Sequence, residues 1–354
     1  IIRLSMKILA IETSCDETAI ALVEAKGGLK NPQFRVLKNI VSSQIKIHRP
    51  FGGVVPSLAK REHLKNLPIV LQKVASSNLN GRLGLKMQEI GLIAVTVGPG
   101  LEPALWTGVN FAKELAKEYK KPLIGVNHLE GHMYSFLLQK KAGISNDEFR
   151  ISNIYPAIAL IVSGGHTILI HQKSLTSWEK IGETRDDAAG EAFDKIARLL
   201  KLPYPGGPEL EKSASTGDPE AIEFPRPMIH QKNFDFSFSG LKTAVLYYLR
   251  DNPSSRKKNV AASAQEAITD VLVQKTIRAA LEHKVISVIL SGGVAANRTL
   301  RKRLQQECRK NKLNFLSAER KYQTDNGAMI AVAAYINHLK KKSHRITAQG
   351  NLNL

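Results

Sequence analysis

The chain has 354 residues, too many for one small core, and 43% of them are hydrophobic, which is enough to bury a sizeable core. Lysine and arginine total 51 against 31 aspartates and glutamates, so the net charge is +20. No apolar run approaches the roughly 20 residues that span a bilayer, which excludes a membrane-spanning protein. The excess positive charge favours a polyanionic partner such as nucleic acid, with a solubilising surface or an organelle-wide basic bias as the alternatives.

The cysteines and the start of the chain bear on location. Cys15 and Cys308 lie far apart and form no disulfide framework, which favours a reducing compartment. The chain begins Ile1-Ile2 with neither an initiator methionine nor an apolar signal segment. We therefore expect a protein that is not secreted and from which an upstream segment has been removed.

Taken in chain order, the predicted strands end in polar or glycine-rich turns. Residues 6–23 predict a hairpin around a polar turn, and residues 92–97 predict a strand that ends in Gly-Pro-Gly. Residues 155–171 predict a second hairpin around Ser-Gly-Gly, and a further strand begins near residue 285. The predicted helices cover residues 102–119, 186–200, 264–283 and 325–339. Strands that alternate with helices indicate an α/β protein with a parallel or mixed sheet.

The repeated hairpin predicts two related lobes that face a cleft. We expect one lobe at residues 1–145 and another at 146–324, with a terminal segment at 325–354 that returns to the first lobe. The segment at 204–233 is rich in proline and glycine and predicts a long surface loop. The basic tail from residue 340 is expected to be partly disordered.

Turns that directly follow strands are where α/β proteins commonly bind phosphates. Glycine lets backbone N–H groups approach an anion closely, and a following helix N-terminus adds a favourable dipole. Several such turns in one chain favour nucleotide binding over plain tight turns, and there is neither a Walker A nor a GxGxxG sequence. The candidate phosphate-binding residues in the first and last of these turns are Thr13, Ser14, Cys15, Gly292 and Gly293.

Two histidines stand four positions apart in the sequence Asn-His-Leu-Glu-Gly-His. On a helix, His128 and His132 share one face and can bind one metal, with two surface histidines as the alternative. Glu130 would point away from that face, which disfavours a metalloprotease. A carboxylate usually completes a two-histidine site, and Asp325 is a candidate whose alternative role is a helix N-cap.

An acidic cluster stands out in this basic chain. Asp186, Asp187, Glu191 and Asp194 would repel one another at helical spacing, so we expect a cation, a ribose hydroxyl or a basic neighbour beside them. A solvated helix face is the alternative. Asn297 can contact a sugar or base, or it can cap the helix that follows.

Together these motifs resemble the universal tRNA threonylcarbamoyladenosine transferase family, within the actin, Hsp70 and sugar-kinase superfold. The matching segments run in order along nearly the whole chain: residues 11–18, 51–56, 98–101, 128–132, 163–167, 186–195, 204–207, 236–242, 291–297 and 324–329. Two departures concern partner contacts: Ser57 replaces an expected acidic residue, and Glu102-Pro103 stands where bacterial members carry a small residue.

The resemblance implies an activity and a site. The family transfers the threonylcarbamoyl group of threonylcarbamoyl-AMP to N6 of adenosine 37 in tRNAs that read codons beginning with A. One divalent metal, iron or zinc, is expected on His128, His132 and Asp325, which are also the expected catalytic residues. ATP or AMP is also expected to bind. The expected nucleotide contacts are Ile161, Val162, Ser163, Gly164, Gly165, Asp194, Gly207, Glu211 and Asn297.

The resemblance also implies partners and a location. The anticodon stem-loop of tRNA is the expected macromolecular substrate, and a solvated helix face is the alternative role of the basic residues that could hold it: Arg301, Lys302, Arg303, Arg309, Lys310 and Lys312. The form of the first turn resembles the bacterial and organellar branch. We expect a homodimer in the mitochondrial matrix that works with a separate threonylcarbamoyl-AMP synthase, with the bacterial cytoplasm as the alternative.

Other functions remain open from the residues alone. A small-molecule kinase of the same superfold would need the nucleotide but not two histidine ligands. A nucleotide-regulated metalloprotein or an Hsp70-type scaffold would bind nucleotide and modify nothing. A metalloprotease would need neither nucleotide nor tRNA.

Overall fold

The computed structural model describes residues 5–76, 87–139 and 151–354. The chain forms two compact units, one from Ile1–Lys141 with Asp325–Leu354 and the other from Ala142–Thr324. The boundary predicted between residues 145 and 146 lies outside the described residues. The helices, in chain order, are α1 (Ile45–His48), α2 (Pro56–Ala75), α3 (Glu102–Glu118), α4 (His128–Tyr134), α5 (Ala189–Leu199), α6 (Gly206–Ala214), α7 (Ser239–Asp251), α8 (Lys257–Glu282), α9 (Arg298–Lys310) and α10 (Gly327–Leu339).

The first unit is built on a five-stranded mixed sheet in the order β3-β2-β1-β4-β5. Its strands are β1 (Met6–Glu12), β2 (Glu17–Lys26), β3 (Gln33–Ser43), β4 (Ile90–Gly98) and β5 (Leu123–Asn127). The first three strands are antiparallel neighbours, whereas β4 and β5 continue from β1 in parallel. The predicted first hairpin is therefore confirmed, and Ile11 pairs with Ile20 across it.

Helices cover this sheet and explain its long apolar runs. The side chains of Leu9, Val95 and Val109 belong to a core that α2 and α3 help to close. The helix α10 also packs against β1 and β2, and its residues from Gly327 to Asn337 are buried. Strands buried on both faces read as continuous hydrophobic runs, as β1 and β4 do.

The second unit repeats the same topology. Its strands β6 (Ala157–Val162), β7 (Thr167–Gln172), β8 (Trp178–Glu183), β9 (Ser287–Ser291) and β10 (Asn314–Ser317) lie in the order β10-β9-β6-β7-β8. Here too the first three strands are antiparallel and the last two are added in parallel. The prediction of two related α/β lobes from the repeated hairpin is confirmed.

The expected surface loop at residues 204–233 was wrong in part, because it contains α6. The glycines at the start of this helix are more typical of a loop, so the sequence pattern did not predict a helix there. Their N–H groups are satisfied by Asp194, whose Oδ1 accepts from Gly206 at 2.7 Å and from Gly207 at 3.1 Å. This cap comes from a side chain on α5, so a local pattern could not reveal it.

The expected disorder of the tail was also wrong. Its backbone is hydrogen-bonded to the first unit: Gln349 N donates to Val97 O at 2.7 Å, and Gly100 N donates to Gly350 O at 3.0 Å. His344 forms an isolated bridge with Gly125 on β5. The tail is therefore fixed along the end of β4 and beside β5, because the edge of β5 offers unpaired backbone groups.

In the described part of the chain, no helix is both long enough and apolar enough to cross a bilayer. Cys15 and Cys308 are both free thiols, as their separation predicts.

Candidate metal centre and nucleotide-binding turns

The two histidines of the predicted metal site lie on α4, which begins directly after β5. Asn127, the last residue of β5, caps this helix: its Oδ1 accepts from Leu129 N at 2.8 Å, and its Nδ2 donates to Asn353 O at 2.9 Å. The four-residue spacing brings the rings of His128 and His132 together, with centroids 4.7 Å apart. The prediction that they share one helix face is confirmed.

Asp325 completes the group. Its Oδ1 lies 3.1 Å from His132 Nε2 and 3.5 Å from His128 Nε2. One potential ligand atom from each of the three residues lies within 4.8 Å of the others. The alternative role of Asp325 as a helix cap is wrong, because Asn326 caps α10 by accepting from Met329 N at 3.1 Å.

Glu12 supports the site, although no sequence pattern indicated a role for it. This buried carboxylate ends β1, and its Oε2 lies 3.0 Å from His128 Nδ1. An ionised carboxylate can only accept, so the Nδ1–H donates to it, and Nε2 is the nitrogen of His128 that faces Asp325. Thr96 Oγ1 donates to the same carboxylate at 2.6 Å and holds it in place. The sequence signal was an acidic residue at the end of an apolar strand.

The donor set fits a divalent transition metal. His132 is fully buried, and neither of its ring nitrogens has a hydrogen-bond partner among the described residues. Its Nε2 is close to the Asp325 carboxylate without the alignment of a hydrogen bond. Buried polar atoms normally find partners, so an unpaired imidazole nitrogen that converges with a second imidazole and a carboxylate is typical of a zinc or iron site.

The protonation of His128 depends on its neighbours. Burial alone would lower the pKa of His128, but the carboxylates of Asp325 and Glu12, together with the hydrogen bond to Glu12, raise it to about 9. The same interactions with His128 lower the pKa of Glu12 against the opposite effect of its burial. A metal bound through His128 at neutral pH therefore displaces a proton.

Glu130 points away from the histidines, as predicted, and joins α4 to the tail. Its carboxylate accepts from Asn337 Nδ2 at 2.7 Å, and it lies 3.1 Å from Lys342 Nζ and 3.2 Å from His344 Nε2. Burial alone would raise the pKa of Glu130, but the bonds from His344 and Asn337 and the charge of Lys342 lower it to about 2. Glu130 therefore cannot serve as a base on a metal-bound water and instead anchors the helix.

Glu130→Gln is expected to lower the free energy of unfolding by about 3 kcal/mol at pH 7, because a depressed carboxyl pKa is a stability contribution. The contribution is fully present above the unfolded pKa of about 4.5 and is lost as the pH falls toward about 2. Urea unfolding at several pH values measures it. Exposed Glu114→Gln on α3 is the control, and an equal acid dependence of wild type and Glu130→Gln would contradict the expectation.

The first turn, proposed from sequence as a phosphate site, has other contacts. Ser14 N donates to Glu12 Oε1, and Ser14 Oγ lies 3.2 Å from His128 Nδ1. Burial and the carboxylates of Asp16 and Glu17 raise the pKa of Cys15 well above its usual value. A phosphate role for Thr13, Ser14 and Cys15 stays a prediction, and the acidic surroundings favour support of His128 instead.

The turn Ser163-Gly164-Gly165 joins β6 to β7 and leaves its glycines open. A Cβ placed on Gly164 or Gly165 would meet nothing within 4 Å. Gly190 N, at the start of α5, donates to Ser163 O at 3.2 Å and holds that helix against the turn. Ile161 and Val162 are the buried end of β6. The turn thus presents backbone next to a helix N-terminus, which suits an anion.

The turn after β9 lies against the end of β6. Gly292 has φ +91°, and a Cβ there would lie 2.3 Å from Val162 O, so only glycine fits. Gly293 has open space at the same position. Since β6 and β9 are parallel neighbours, their carboxyl ends meet at one edge of the sheet, where α/β proteins bind ligands.

The remaining predicted nucleotide residues lie near a cavity of about 570 Å³. Glu211 lines this cavity, and its Oε1 accepts from Arg298 N at 2.7 Å. Asn297 caps α9 through Leu300 N at 3.0 Å and donates to Gln265, another lining residue, at 2.9 Å. The cap role of Asn297 is therefore confirmed. Asp194 and Gly207 meet at the start of α6.

The acidic cluster has the neighbours that its charge requires. Lys195 pairs with Asp187 at 2.7 Å and with Glu191 at 2.9 Å. Asp186 accepts four hydrogen bonds from Ser237, Phe238 and Ser239 at the start of α7. Both Asp186 and Asp187 precede α5, so the helix predicted from residue 186 began three residues too early.

Comparison with known proteins identifies the family. The sequence model of tRNA N6-adenosine threonylcarbamoyltransferase (TsaD) matches residues 35–332. The chain belongs to this family. The threonylcarbamoyltransferase of Thermosipho melanesiensis is 45% identical over 99% of this chain and 100% of its own length. That of Moorella thermoacetica is 47% identical over 94% of this chain and 92% of its own length, and that of Clostridium botulinum is 44% identical over 99% and 98%.

Solved structures of low sequence identity share the fold of the chain. HypF of T. kodakarensis aligns with a TM-score of 0.58 and 17% identity, over 96% of this chain and 49% of HypF. The 2-hydroxyisocaproyl-CoA dehydratase activator from Clostridium difficile, solved with ADPNP, aligns with a TM-score of 0.50 and 12% identity, over 95% and 96%. With the duplicated sheet, they confirm the two-lobed fold of the actin, Hsp70 and sugar-kinase type.

The family establishes the reaction class. The chain is an enzyme that modifies tRNA by transferring a threonylcarbamoyl group to N6 of adenosine, which gives t6A. The small-molecule kinase alternative is not favoured. The relatives named above are bacterial proteins and give no support to a mitochondrial location.

Proposed function

We propose that the chain transfers the threonylcarbamoyl group of threonylcarbamoyl-AMP to adenosine 37 of tRNAs reading codons that begin with A, with a divalent metal held by His128, His132 and Asp325. One observation carries the metal assignment. One ring nitrogen of each histidine and an Asp325 oxygen converge within 4.8 Å, while buried His132 has no hydrogen-bond partner in the part of the chain that the structure describes. The three residues are therefore the proposed metal ligands and catalytic residues.

The chemistry of the transfer fits these residues. The exocyclic amine of adenine is a weak nucleophile, so the carbonyl group that it attacks must be polarised. A divalent ion bound by these residues would polarise that carbonyl as a Lewis acid. Glu12 keeps the proton of His128 on Nδ1 and so fixes the ring orientation. All residues of α4 are buried, which holds the histidines in a fixed position.

The nucleotide end of the substrate is proposed to bind to the second unit. The exposed backbone of Gly164 and Gly165 can approach the AMP phosphate, and the N-terminus of α5 favours its charge. Gly292 and Gly293 follow the neighbouring strand and extend this turn region. The cavity lined by Glu211 is proposed for the nucleoside, with Asp194 fixing the backbone of Gly207 and Asn297 orienting Gln265 at its edge.

A reconstituted reaction tests the proposal. Purified protein is combined with threonine, bicarbonate, ATP, a threonylcarbamoyl-AMP synthase and tRNA, and digested tRNA is examined by mass spectrometry for t6A. Product is expected only when the protein is present, and it should be lost after treatment with a chelator and restored by iron or zinc. Full activity of metal-stripped protein would reject the metal role, and t6A formed without the protein would reject the transferase assignment.

The finer expectations about partners remain proposals. A homodimer, a functional link to a threonylcarbamoyl-AMP synthase and binding of ATP or AMP follow from the family resemblance. The bacterial relatives favour the bacterial cytoplasm, the alternative location, over the mitochondrial matrix.

A further inference from the structure

The sequence contains three runs of three consecutive basic residues, at 256–258, 301–303 and 340–342. In a tRNA-modifying enzyme with a net charge of +20, such runs are candidates for contacts with phosphates. A lysine or arginine that already pairs with a carboxylate attracts a phosphate less strongly, because its charge is partly neutralised. The surroundings of each run therefore decide between them.

Two of the runs are engaged in part within the protein, through two residues of 301–303 and one residue of 340–342. Arg303 pairs with Glu266 and with Asp270, and Arg301 donates to Ser317 Oγ at 3.0 Å. Lys342 pairs with the buried carboxylate of Glu130 at 3.1 Å. In the helix α9, whose basic residues are candidates for tRNA binding from the sequence, Lys310 also pairs with Glu307 at 2.6 Å. These contacts reduce the case for α9 and for the start of the tail.

The run at 256–258 is different. Arg256, Lys257 and Lys258 are all exposed, and within the described part of the chain their side chains make no hydrogen bond or ion pair. They stand at the N-terminus of α8, a 26-residue helix with no acidic residue in its first turn. Cations at the positive end of a helix dipole are unfavourable, so three of them that pair with no carboxylate of the described residues form a positive surface.

An exposed aromatic ring lies close by in the chain. Tyr247, near the end of α7, is 52% exposed, and the Arg250 guanidinium lies 4.9 Å from its ring centroid. Only residues 252–255 separate the end of α7 from Arg256, and the turn there is closed by Ser255 N donating to Asn252 O at 3.0 Å. Exposed tyrosine with neighbouring cations is typical of surfaces that bind single-stranded nucleic acid loops.

We propose that this basic turn, residues 247–258, is a tRNA-binding surface in which Arg256, Lys257 and Lys258 contact backbone phosphates and Tyr247 stacks against an unpaired base. The proposal rests on the tRNA-modifying function of the family. It assigns to the second unit a substrate contact distinct from the turns proposed for the nucleotide.

The test uses a variant with Arg256→Gln, Lys257→Gln and Lys258→Gln in the full-length protein. Its affinity for labelled substrate tRNA is measured by fluorescence anisotropy between 50 and 200 mM salt, a range set by the salt sensitivity of phosphate contacts. The slope of log K against log salt should shrink by about 2 to 3, since each lost phosphate contact removes roughly 0.7–0.9. The KM for tRNA should rise about tenfold or more, with the KM for threonylcarbamoyl-AMP and the metal content unchanged.

A matched variant removes the same charge elsewhere, with Lys113→Gln, Lys117→Gln and Lys120→Gln on exposed positions along and after α3. It should keep the wild-type slope and KM. Equal losses in both variants would reduce the effect to net charge and overturn the proposal, as would an unchanged slope in the first variant. In either case, t6A formation by the wild-type protein would still support the proposed transferase function. Tyr247→Ala should weaken tRNA binding, whereas Tyr247→Phe should bind tRNA like the wild type because it keeps the stacking ring.

Discussion

His132→Ala is expected to abolish metal binding and to lower the rate of t6A formation by at least about a hundredfold. His132 is fully buried, and no described residue forms a hydrogen bond with its ring nitrogens that could replace a metal. Removing the ring leaves His128 and Asp325, which offer too few ligands to retain the ion at ordinary concentrations. Metal content by mass spectrometry and t6A yield in the reconstituted reaction measure the two effects.

Two further variants separate the role of the metal from folding. Asp325→Asn keeps the shape of the side chain but removes the charge, and it should reproduce the loss of metal with a native circular dichroism spectrum. His338→Ala removes an exposed histidine from α10 and should leave both metal and activity unchanged. A kinase-like enzyme that needs only the nucleotide would keep its activity in His132→Ala, so retained activity would contradict the metal assignment.

Gly292→Ala is expected to destabilise the second unit by about 3 kcal/mol and to impair AMP binding. The residue has φ +91°, and the new Cβ would lie 2.3 Å from the carbonyl oxygen of Val162. The carbonyl of Val162 is backbone and cannot rotate away as a side chain could. Relief of the clash therefore requires the parallel strands β6 and β9 to separate at the edge that carries the Ser-Gly-Gly turn. Urea unfolding and calorimetric titration with AMP measure the changes.

Gly293→Ala is the matched control. The next residue in the same turn has nothing within 4 Å of a Cβ and no positive φ, so its substitution should change the stability by less than about 1 kcal/mol. If the two variants unfolded at the same urea concentration, the close packing of the β9 turn against β6 would not be the reason for glycine at position 292.

Much of the architecture could be predicted from local patterns. Apolar runs interrupted by Glu-Thr-Ser and by Ser-Gly-Gly indicated both hairpins, because a strand and its turn are specified by neighbouring residues. The histidine pair was equally accessible, since i and i+4 positions share a helix face whatever surrounds the helix. The family resemblance then supplied the distant Asp325, which spacing alone left as a guess.

The sequence by itself determined the duplicated hairpins, the helix with two histidines, and the family. The tertiary structure decided that Asp325 reaches His132, that Glu12 orients His128, and that Asp194 begins α6. It also fixed the tail on Val97 and Gly100, where composition suggested disorder. The reason is physical: periodicity encodes contacts between near neighbours, whereas these carboxylates and carbonyls find partners only after distant strands and helices have packed together.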